Sequence, residues 1–195
     1  MIALHHDRRY FDERYARSPD PWHIDARWYE ERKRQLTMAM LPRPRYRRGV
    51  EPGCGNGALT ERLAARCDEL IAFDLVAAAA ARAGRRLASQ RHVRVLTESF
   101  PAYWPEGTGD LVVWSEVAYY LTAPGEGAAL RGLRSWLEPG GTLVTVHYTG
   151  VTDHPRPGAA VAPWLDSVPF LSRLSAMRDR DFEIGVWRRN EEGAR

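Results

Sequence analysis

Hydrophobic positions along this chain change their period several times, and the changes predict alternating strands and helices. Short runs of apolar and β-branched side chains, over Arg48–Pro52, Glu69–Asp74 and His92–Thr97, are typical of strands. Two further runs, Asp110–Ser115 and Thr142–Tyr148, are apolar through their middle positions. Such runs indicate strands that are covered on both faces of a sheet.

Amphipathic or strongly helix-forming segments separate these strands. The predicted helices cover Asn56–Arg66, Ala77–Gln90 and Ala123–Leu137. Near the carboxyl terminus, Leu171–Met177 and Phe182–Arg188 predict an antiparallel hairpin. The alternation of strand and helix predicts an α/β, Rossmann-like fold with a doubly wound, mostly parallel sheet. On such a sheet, ligands bind beyond the carboxyl ends of the strands.

The first 46 residues have a different character, because charged and aromatic side chains dominate them. Ala26–Leu41 has helical periodicity, and Pro42 and Pro44 end that helix. We therefore expect residues 1–46 to form a helical lid or cap, and residues 47–190 to form the main domain.

Composition narrows the possible function classes. The chain has 195 residues, of which 44% are hydrophobic and 27% charged, and this fits one globular domain. Its net charge of +3 is too small to indicate a nucleic-acid partner. No apolar stretch is long enough for a membrane span, and the charged amino terminus does not resemble a signal peptide. Nothing in the pattern predicts an oligomeric state.

The two cysteines, Cys54 and Cys67, are too few for a disulfide framework. No spacing of cysteines and histidines predicts a metal site, so none is expected. Together with the lack of a targeting pattern, this composition indicates a cytoplasmic protein.

The most informative segment is a glycine-rich turn between the first predicted strand and the helix that follows it. The turn contains Gly53, Gly55 and Gly57, and it comes directly after Glu51 and Pro52. Glycines let the chain adopt positive φ angles and let a ligand approach the backbone closely. Because their spacing also fits a dinucleotide-binding fingerprint, the glycines alone leave a nicotinamide cofactor open.

The charge of Glu51 distinguishes between two candidate ligands, a nicotinamide dinucleotide and S-adenosyl-L-methionine. A carboxylate at this strand end repels the pyrophosphate of a dinucleotide, which binds best at a helix amino terminus free of negative charge. The same carboxylate attracts the ammonium and sulfonium groups of S-adenosyl-L-methionine. For charges about 4 Å apart at an effective dielectric constant of about 20, the attraction is roughly 4 kcal/mol before desolvation. S-adenosyl-L-methionine is therefore the predicted cofactor.

Two more acidic residues follow the next strands. Asp74 lies 17 residues after Gly57, where a carboxylate can accept hydrogen bonds from both ribose hydroxyls. Glu98 follows the third strand and is placed to reach the adenine amino group. Each acid alone also fits a solvated loop or a helix cap, but three at successive strand ends favour a binding site.

Four segments of the main domain resemble the class I S-adenosylmethionine-dependent methyltransferases: EPGCGNGALTERLAARCDEL, IAFDL, DLVVWSEVAYYL and LEPGGTLVTVHY. The stretches WYEERK and SEVAYYL are similar, more narrowly, to the nodulation protein S (NodS) family. The resemblance implies a seven-stranded sheet with an antiparallel last strand. It also implies cofactor binding by Glu51, Gly53, Gly55 and Asp74, with Glu98 near the adenine. The implied reaction is N-methylation of a de-N-acetylated chitooligosaccharide, another amino sugar or another small acceptor.

Methyl transfer to an amine needs alignment and a route for the proton of the amine. The candidate proton acceptors are Glu116, just past the fourth strand, and His147, in the fifth. Glu116 equally fits a helix cap, and His147 equally fits a buried core histidine. Tyr119 and Tyr120 are expected to line the acceptor pocket, where aromatic faces suit a sugar ring, unless they only pack. Ser115 is expected on the cofactor side.

The amino-terminal segment supplies the candidates for a lid: Trp22, Trp28, Tyr29, Glu30 and Arg32. The forked guanidinium of Arg32 is predicted to hold the methionine carboxylate, and Trp28 to contact the acceptor. A solvated helix face accounts for Arg32 equally well. Closure of such a lid would exclude water during the transfer.

Several function classes stay open at this point. The favoured one is an N-methyltransferase of a small, sugar-like acceptor, and the alternative within that class is an O-methyltransferase of a small metabolite. The fourth strand lacks the Asp/Asn-Pro-Pro-Tyr motif, which disfavours nucleic-acid bases as acceptors. Glu51 and the lack of a separate substrate domain disfavour a nicotinamide-dependent oxidoreductase. A non-catalytic S-adenosylmethionine-binding module predicts binding without turnover.

Overall fold

The structure, a computed structural model, describes residues 3–6 and 8–191. Residues 1, 2 and 7 of the expected lid segment lie outside the described residues. The strands are β1 (Tyr46–Pro52), β2 (Cys67–Asp74), β3 (Val93–Thr97), β4 (Gly109–Ser115), β5 (Leu137–Tyr148), β6 (Leu171–Arg178) and β7 (Phe182–Arg189). The α-helices are α1 (Arg8–Arg17), α2 (Trp28–Met40), α3 (Ala58–Ala64), α4 (Ala77–Arg86), α5 (Ala123–Trp136) and α6 (Val161–Asp166).

Within the described residues, the seven strands form one sheet in the order β3-β2-β1-β4-β5-β7-β6. Strands β1 to β5 pair in parallel, and β7 pairs antiparallel with both β5 and β6. The order reverses direction between β1 and β4, so the carboxyl ends of these strands border a topological switch point. The predicted α/β fold, with its mostly parallel sheet and antiparallel last strand, is confirmed.

The core lies on both faces of the sheet. On one face, Trp114 of β4 and Trp187 of β7 lie in the same cluster as Trp136 of α5 and apolar side chains of α6, and all three tryptophans are fully buried. On the other face, aliphatic side chains of the sheet such as Leu70 pack with Leu63 of α3 and with apolar side chains of α2. Because both faces are covered, β4 and β5 are apolar through their middle positions, which is the pattern seen in the sequence.

The structure differs from the sequence-based expectation mainly at the ends of elements. Strand β5 begins at Leu137 rather than Thr142, because Leu137 already pairs with Gly109 of β4. The register of this pairing shifts before Thr142, in the stretch where Gly140 has a φ of 76°. Helix α6 was not predicted, since its six residues are too few to form a helix alone. Burial of Val161 and Leu165 against the sheet stabilises it.

The amino-terminal helices α1 and α2 lie on the main domain rather than apart from it. Leu4 forms a single antiparallel bridge with Leu121, which lies between β4 and α5. Helix α2 contacts α3 and β7. No helix in the described part of the chain combines the length and the apolar character needed to cross a bilayer.

Candidate functional site

A cavity of about 790 Å³ lies at the carboxyl edge of the sheet, at the switch point between β1 and β4. Its walls come from the glycine turn after β1, the ends of β2 and β4, and the amino-terminal helices. The predicted residues that line it are Glu51, Gly53, Gly55, Asp74, Glu98, Ser115, Glu116, Tyr119 and Tyr120. A cavity of this size accommodates a nucleoside-sized ligand together with a small second molecule.

The first two glycines of the turn both have positive φ angles, and at Gly53 a side chain would also clash with a neighbour. Gly53 has a φ of 69°, and a Cβ there would lie 2.3 Å from Cγ1 of Val117. Gly55 has a φ of 55°, and a Cβ there would lie 3.5 Å from the hydroxyl of Tyr15. The turn is therefore held between the segment after β4 and helix α1, and its backbone faces the cavity.

Glu51 is buried in the cavity wall, and it forms no ion pair with any residue that the structure describes. Its side chain is 2% exposed. Among the described residues, no hydrogen-bond partner is found for its Oε2 atom. Burial raises the pKa of Glu51 to about 8. A buried carboxyl group with an unpaired oxygen facing a cavity is costly for the apo protein, and a positively charged ligand would relieve that cost.

Asp74 joins the glycine turn to the start of the next helix. One of its oxygens accepts a hydrogen bond from the backbone N–H of Gly55 at 2.9 Å, and the other from that of Val76 at 2.9 Å. Burial raises the pKa of Asp74, and the two N–H donors oppose that rise. Each carboxylate oxygen can still accept a second hydrogen bond, so the side chain fixes the turn and remains available to a ligand.

At the other end of the cavity, Glu116 forms an ion pair with Lys33. The Nζ atom of Lys33 lies 2.7 Å from Oε1 of Glu116 and 3.0 Å from Oε1 of Glu30. The same ammonium lies 4.8 Å from the ring centroid of Tyr29. The backbone N–H of Tyr148 donates to Oε2 of Glu116 at 3.0 Å. Helix α2, β4 and β5 therefore meet at one carboxylate.

In this ion pair, the attraction between the opposite charges affects the two pKa values more than burial does. Burial disfavours the charged form of Lys33, but the carboxylates of Glu116 and Glu30 raise the pKa of its ammonium. Burial also acts to raise the pKa of Glu116, yet the charge of Lys33 leaves that pKa lowered. Glu116 is consequently ionised near neutral pH, which makes it a weak base and a good partner for a hydroxyl or ammonium group.

Two tyrosines border the same end of the cavity, in a short 3₁₀ helix at Ala118–Tyr120. Burial and the charge of Glu116 raise the pKa of Tyr119 well above its ordinary value. The rings of Tyr119 and Tyr120 lie 4.8 Å apart in an edge-to-face arrangement. The two side chains present a neutral, aromatic wall beside an ionised carboxylate.

His147 lies behind this wall and is not among the described residues that line the cavity. Its ring is 1% exposed, and its Nε2 accepts a hydrogen bond from the backbone N–H of Ala118 at 3.1 Å. Burial lowers the pKa of His147 to about 4. Its position is that of a neutral core histidine that supports the turn carrying the tyrosines, which corrects the expectation that it faces the acceptor.

Arg32 and Trp28 also lie outside the described cavity lining. The guanidinium of Arg32 pairs with the carboxylate of Asp179 in the turn between β6 and β7. Trp28 is 70% exposed at the start of α2. Both expectations are corrected for one reason. Successive helical residues point 100° apart, and the α2 residues that line the cavity are Tyr29, Glu30, Lys33, Arg34 and Thr37.

The cavity lining also includes residues that were not predicted, among them Tyr15, Lys33 and His154. A signal for Lys33 was present, because it is the single lysine in an arginine-rich chain and lies three residues after Glu30. Tyr15 and His154 reach the cavity from α1 and from the loop after β5, and no local pattern marks either position.

The sheet order, the glycine turn and the acidic strand ends define the class of the protein as the α/β, Rossmann-like fold of methyltransferases.

A solved structure from Pseudomonas syringae, assigned provisionally as a methyltransferase, is similar at 40% identity and a TM-score of 0.74. The similarity covers 84% of this chain and 100% of that one. The N-methyltransferase NodS from Bradyrhizobium japonicum WM9, in complex with S-adenosyl-L-homocysteine, is 25% identical with a TM-score of 0.79. That comparison covers 95% of this chain and 100% of NodS.

The chain belongs to the Nodulation protein S (NodS) family, whose profile matches residues 6–148. Nodulation protein S of Rhizobium tropici is 33% identical over 141 residues, which are 71% of this chain. The same protein of Sinorhizobium fredii is 34% identical over 127 residues, or 64% of this chain. In both cases the match covers 59% of the relative's length.

Proposed function

We propose that this chain binds S-adenosyl-L-methionine and transfers its methyl group to an amino group of a small, sugar-like acceptor. The observation that carries the proposal is the buried Oε2 of Glu51, which faces the cavity without a partner among the described residues. The positively charged ammonium of the cofactor's methionine part can donate a hydrogen bond to this oxygen and balance the negative charge of the carboxylate. A pyrophosphate-containing cofactor would put negative charge against it instead.

The other residues of the cavity fit the same cofactor. Asp74 has lone pairs left for the ribose hydroxyls, and Gly53 and Gly55 let the ligand approach the turn. Glu98 and Ser115 also line the cavity, and we assign Glu98 to the adenine and Ser115 to the cofactor side. When bound, S-adenosylmethionine supplies a methyl group on a positively charged sulfur that is open to nucleophilic attack.

At the acceptor end, this chain's residues hold the acceptor in place. We place the acceptor's amino group against Glu116, which its ion pair with Lys33 keeps ionised. Tyr119 and Tyr120 provide aromatic faces of the kind that pack on sugar rings. Because the pKa of Glu116 is lowered, we assign it the binding of the amino group and a short relay of the proton to water, rather than strong general-base chemistry.

We also propose that the segment before β1 acts as a lid, as the sequence predicts for residues 1–46. The hydroxyl of Tyr15 and the side chain of Ile24 both lie against the glycine turn. Asp25 holds this segment down, because its carboxylate accepts hydrogen bonds from Arg86 at 2.7 Å and from Asn56 at 3.0 Å. We assign these contacts to a cover over the cavity, which would exclude water once a ligand is bound.

The amine assignment draws on the name of the relative NodS, an N-methyltransferase. A carboxylate beside tyrosines also fits a hydroxyl acceptor, so O-methylation is an outcome of the test. The cytoplasmic location stays a prediction; both cysteines are buried and unpaired in the described structure, which fits a reducing compartment.

Calorimetric titration with S-adenosyl-L-homocysteine tests the cofactor. We expect binding to the unaltered protein, and about 10–100-fold weaker binding to Glu51→Gln, because a hydrogen bond to a charged group contributes about 1.5–3 kcal/mol. Glu61→Gln is the matched control, since Glu61 is an exposed residue of α3. The proposal is contradicted if Glu51→Gln binds S-adenosyl-L-homocysteine with wild-type affinity. It is also contradicted if the unaltered protein binds NAD but not S-adenosyl-L-homocysteine.

Transfer of radiolabelled methyl groups tests the acceptor. We expect incorporation into an oligosaccharide with a free amino group, and none into its N-acetylated form, because acylation removes the nucleophilic lone pair. Incorporation into both forms would assign the transfer to a hydroxyl. Binding of the cofactor without incorporation into any amine or hydroxyl acceptor would identify a non-catalytic binding module.

A further inference from the structure

Two histidines and an aspartate from distant parts of the chain meet at the acceptor end of the cavity. His6 precedes α1, whereas Asp153 and His154 lie in the loop after β5. One donor atom from each of the three residues lies within 4.8 Å of the other two. Neither the proposed cofactor site nor the proposed acceptor contacts use any of them.

The segment that carries His6 is fixed by its backbone. The N–H of His5 donates to the carbonyl oxygen of Tyr120 at 2.8 Å, and the N–H of Thr122 donates to that of Ala3 at 3.1 Å. These bonds extend the isolated bridge between Leu4 and Leu121. His6 is therefore held beside the 3₁₀ helix of the cavity wall.

Aromatic neighbours fix the planes of both imidazole rings. The ring of His6 stacks on Tyr10, with centroids 3.7 Å apart and an interplanar angle of 9°. The ring of His154 stacks on Tyr119, with centroids 4.4 Å apart and an angle of 25°. Rings that are already oriented lose little rotational freedom when they bind a common ligand, which favours binding.

His154 has a buried ring nitrogen that needs a partner. Its side chain is 9% exposed, and its Nδ1 has no hydrogen-bond partner among the residues that the structure describes. The nearest acidic atom is Oδ1 of Asp153, at 3.6 Å. Donors in a tetrahedral zinc site, with metal–ligand bonds of about 2.0–2.1 Å, lie about 3.4 Å apart. This pair is close to that spacing, and the side chain of Asp153 is 78% exposed and free to rotate further inward.

We propose that His6, Asp153 and His154 bind one divalent transition-metal ion of the Zn²⁺ class. Two imidazoles and one carboxylate are the ligands that zinc, cobalt and nickel accept, whereas Mg²⁺ and Ca²⁺ require mostly oxygen. The carboxylate offsets part of the charge of the ion. Three protein ligands leave at least one position for water or for a donor atom of the acceptor. The ion links the segment before α1 to the loop after β5, and so closes the acceptor end of the cavity.

Metal binding is measured on the chain freed of affinity-tag histidines and treated with a chelator. Equilibrium dialysis against Zn²⁺ should give one ion per chain, and Co²⁺ should produce the intense visible absorption of a tetrahedral or five-coordinate site. We expect Asp153→Asn and His154→Asn each to weaken Zn²⁺ binding at least about tenfold, the range seen when a metal site loses a supporting group. Mg²⁺ should not compete.

His5→Asn is the matched control, because His5 neighbours His6 in sequence but is not part of the cluster. It should bind Zn²⁺ as the unaltered chain does. Asp153 is on the surface, so Asp153→Asn keeps the test decisive if His154→Asn fails to fold. Less than one saturable ion per chain, or unchanged affinity in Asp153→Asn, would overturn the proposal. Because no cofactor is present in these measurements, their outcome is independent of the proposed methyl transfer.

Discussion

The ammonium of Lys33 lies 2.7 Å from Oε1 of Glu116, and this ion pair joins helix α2 to the end of β4 inside the cavity wall. Glu116 itself has a φ of 56°, in the left-handed region that a non-glycine residue occupies at a cost of about 1–3 kcal/mol. The chain thus holds a strained residue in place by a buried charge pair, and it does so where the acceptor is expected to bind. Strain of this kind is found more often at functional sites than elsewhere.

Removal of the cation should destabilise the fold and impair use of the acceptor. We expect Lys33→Met to lower the free energy of unfolding by up to about 3–5 kcal/mol, because Glu116, whose side chain is 25% exposed, then lies in the cavity wall without the counter-charge of Lys33. Urea denaturation measures this change. Arg45→Met, which breaks an exposed pair with Asp68, should cost less than about 1 kcal/mol. If Lys33→Met costs no more than this control, the pair is not buried in solution. Combining Lys33→Met with Glu116→Gln should recover part of the lost stability.

Cofactor affinity should rise with pH through the titration of Glu51. In the free protein burial raises the pKa of this carboxyl to about 8, so below that pH it is largely protonated. A bound ammonium favours the ionised form and lowers the pKa in the complex. Binding therefore releases a proton, and affinity for S-adenosyl-L-homocysteine should fall up to about tenfold per unit as the pH drops below 8.

Titration calorimetry in two buffers with different ionisation enthalpies would measure this proton release directly. Glu51→Gln, which cannot titrate, should lose the dependence. A pH-independent affinity in the unaltered chain would mean that Glu51 is already ionised before the ligand binds.

A methyl group at Gly53 should weaken cofactor binding and stability together. Its Cβ would lie 2.3 Å from Cγ1 of Val117, and its φ of 69° disfavours any side chain. We expect Gly53→Ala to lower stability by about 1–3 kcal/mol and to reduce affinity for S-adenosyl-L-homocysteine. Gly84→Ala is the control, because among the described residues nothing lies within 4 Å of its Cβ position, and α4 should gain about 0.5–1 kcal/mol. Equal effects of both changes would exclude this account of the turn.

His147 should affect acid stability rather than turnover. The unfolded chain binds a proton at this histidine near pH 6.5, whereas burial lowers the pKa in the fold to about 4. Its neutral form therefore supports the fold fully above 6.5, and that contribution is lost as the pH falls from there toward 4.

His147→Gln keeps an acceptor for the N–H of Ala118 without a titratable group. Urea unfolding at several pH values should therefore show a smaller loss of stability on acidification in this variant. Its rate of methyl transfer should stay within a few-fold of the unaltered chain. A large fall in rate with unchanged cofactor affinity would restore His147 as a catalytic residue.

The sequence by itself determined the sheet and one end of the site. Strand periodicity is local, and the glycine turn with Glu51 and Asp74 occupies short, continuous stretches. In a parallel sheet the carboxyl ends of neighbouring strands meet at one edge, so these residues could be placed together without coordinates.

Only the tertiary structure decided the acceptor end. The rotation of α2 about its axis brings Lys33 rather than Arg32 to Glu116, and the depth of β5 in the sheet buries His147 behind the tyrosines. The meeting of His6 with His154 depends on how a segment before α1 crosses a loop almost 150 residues later. Contacts of this kind arise from packing between distant segments, and no spacing along the chain encodes them.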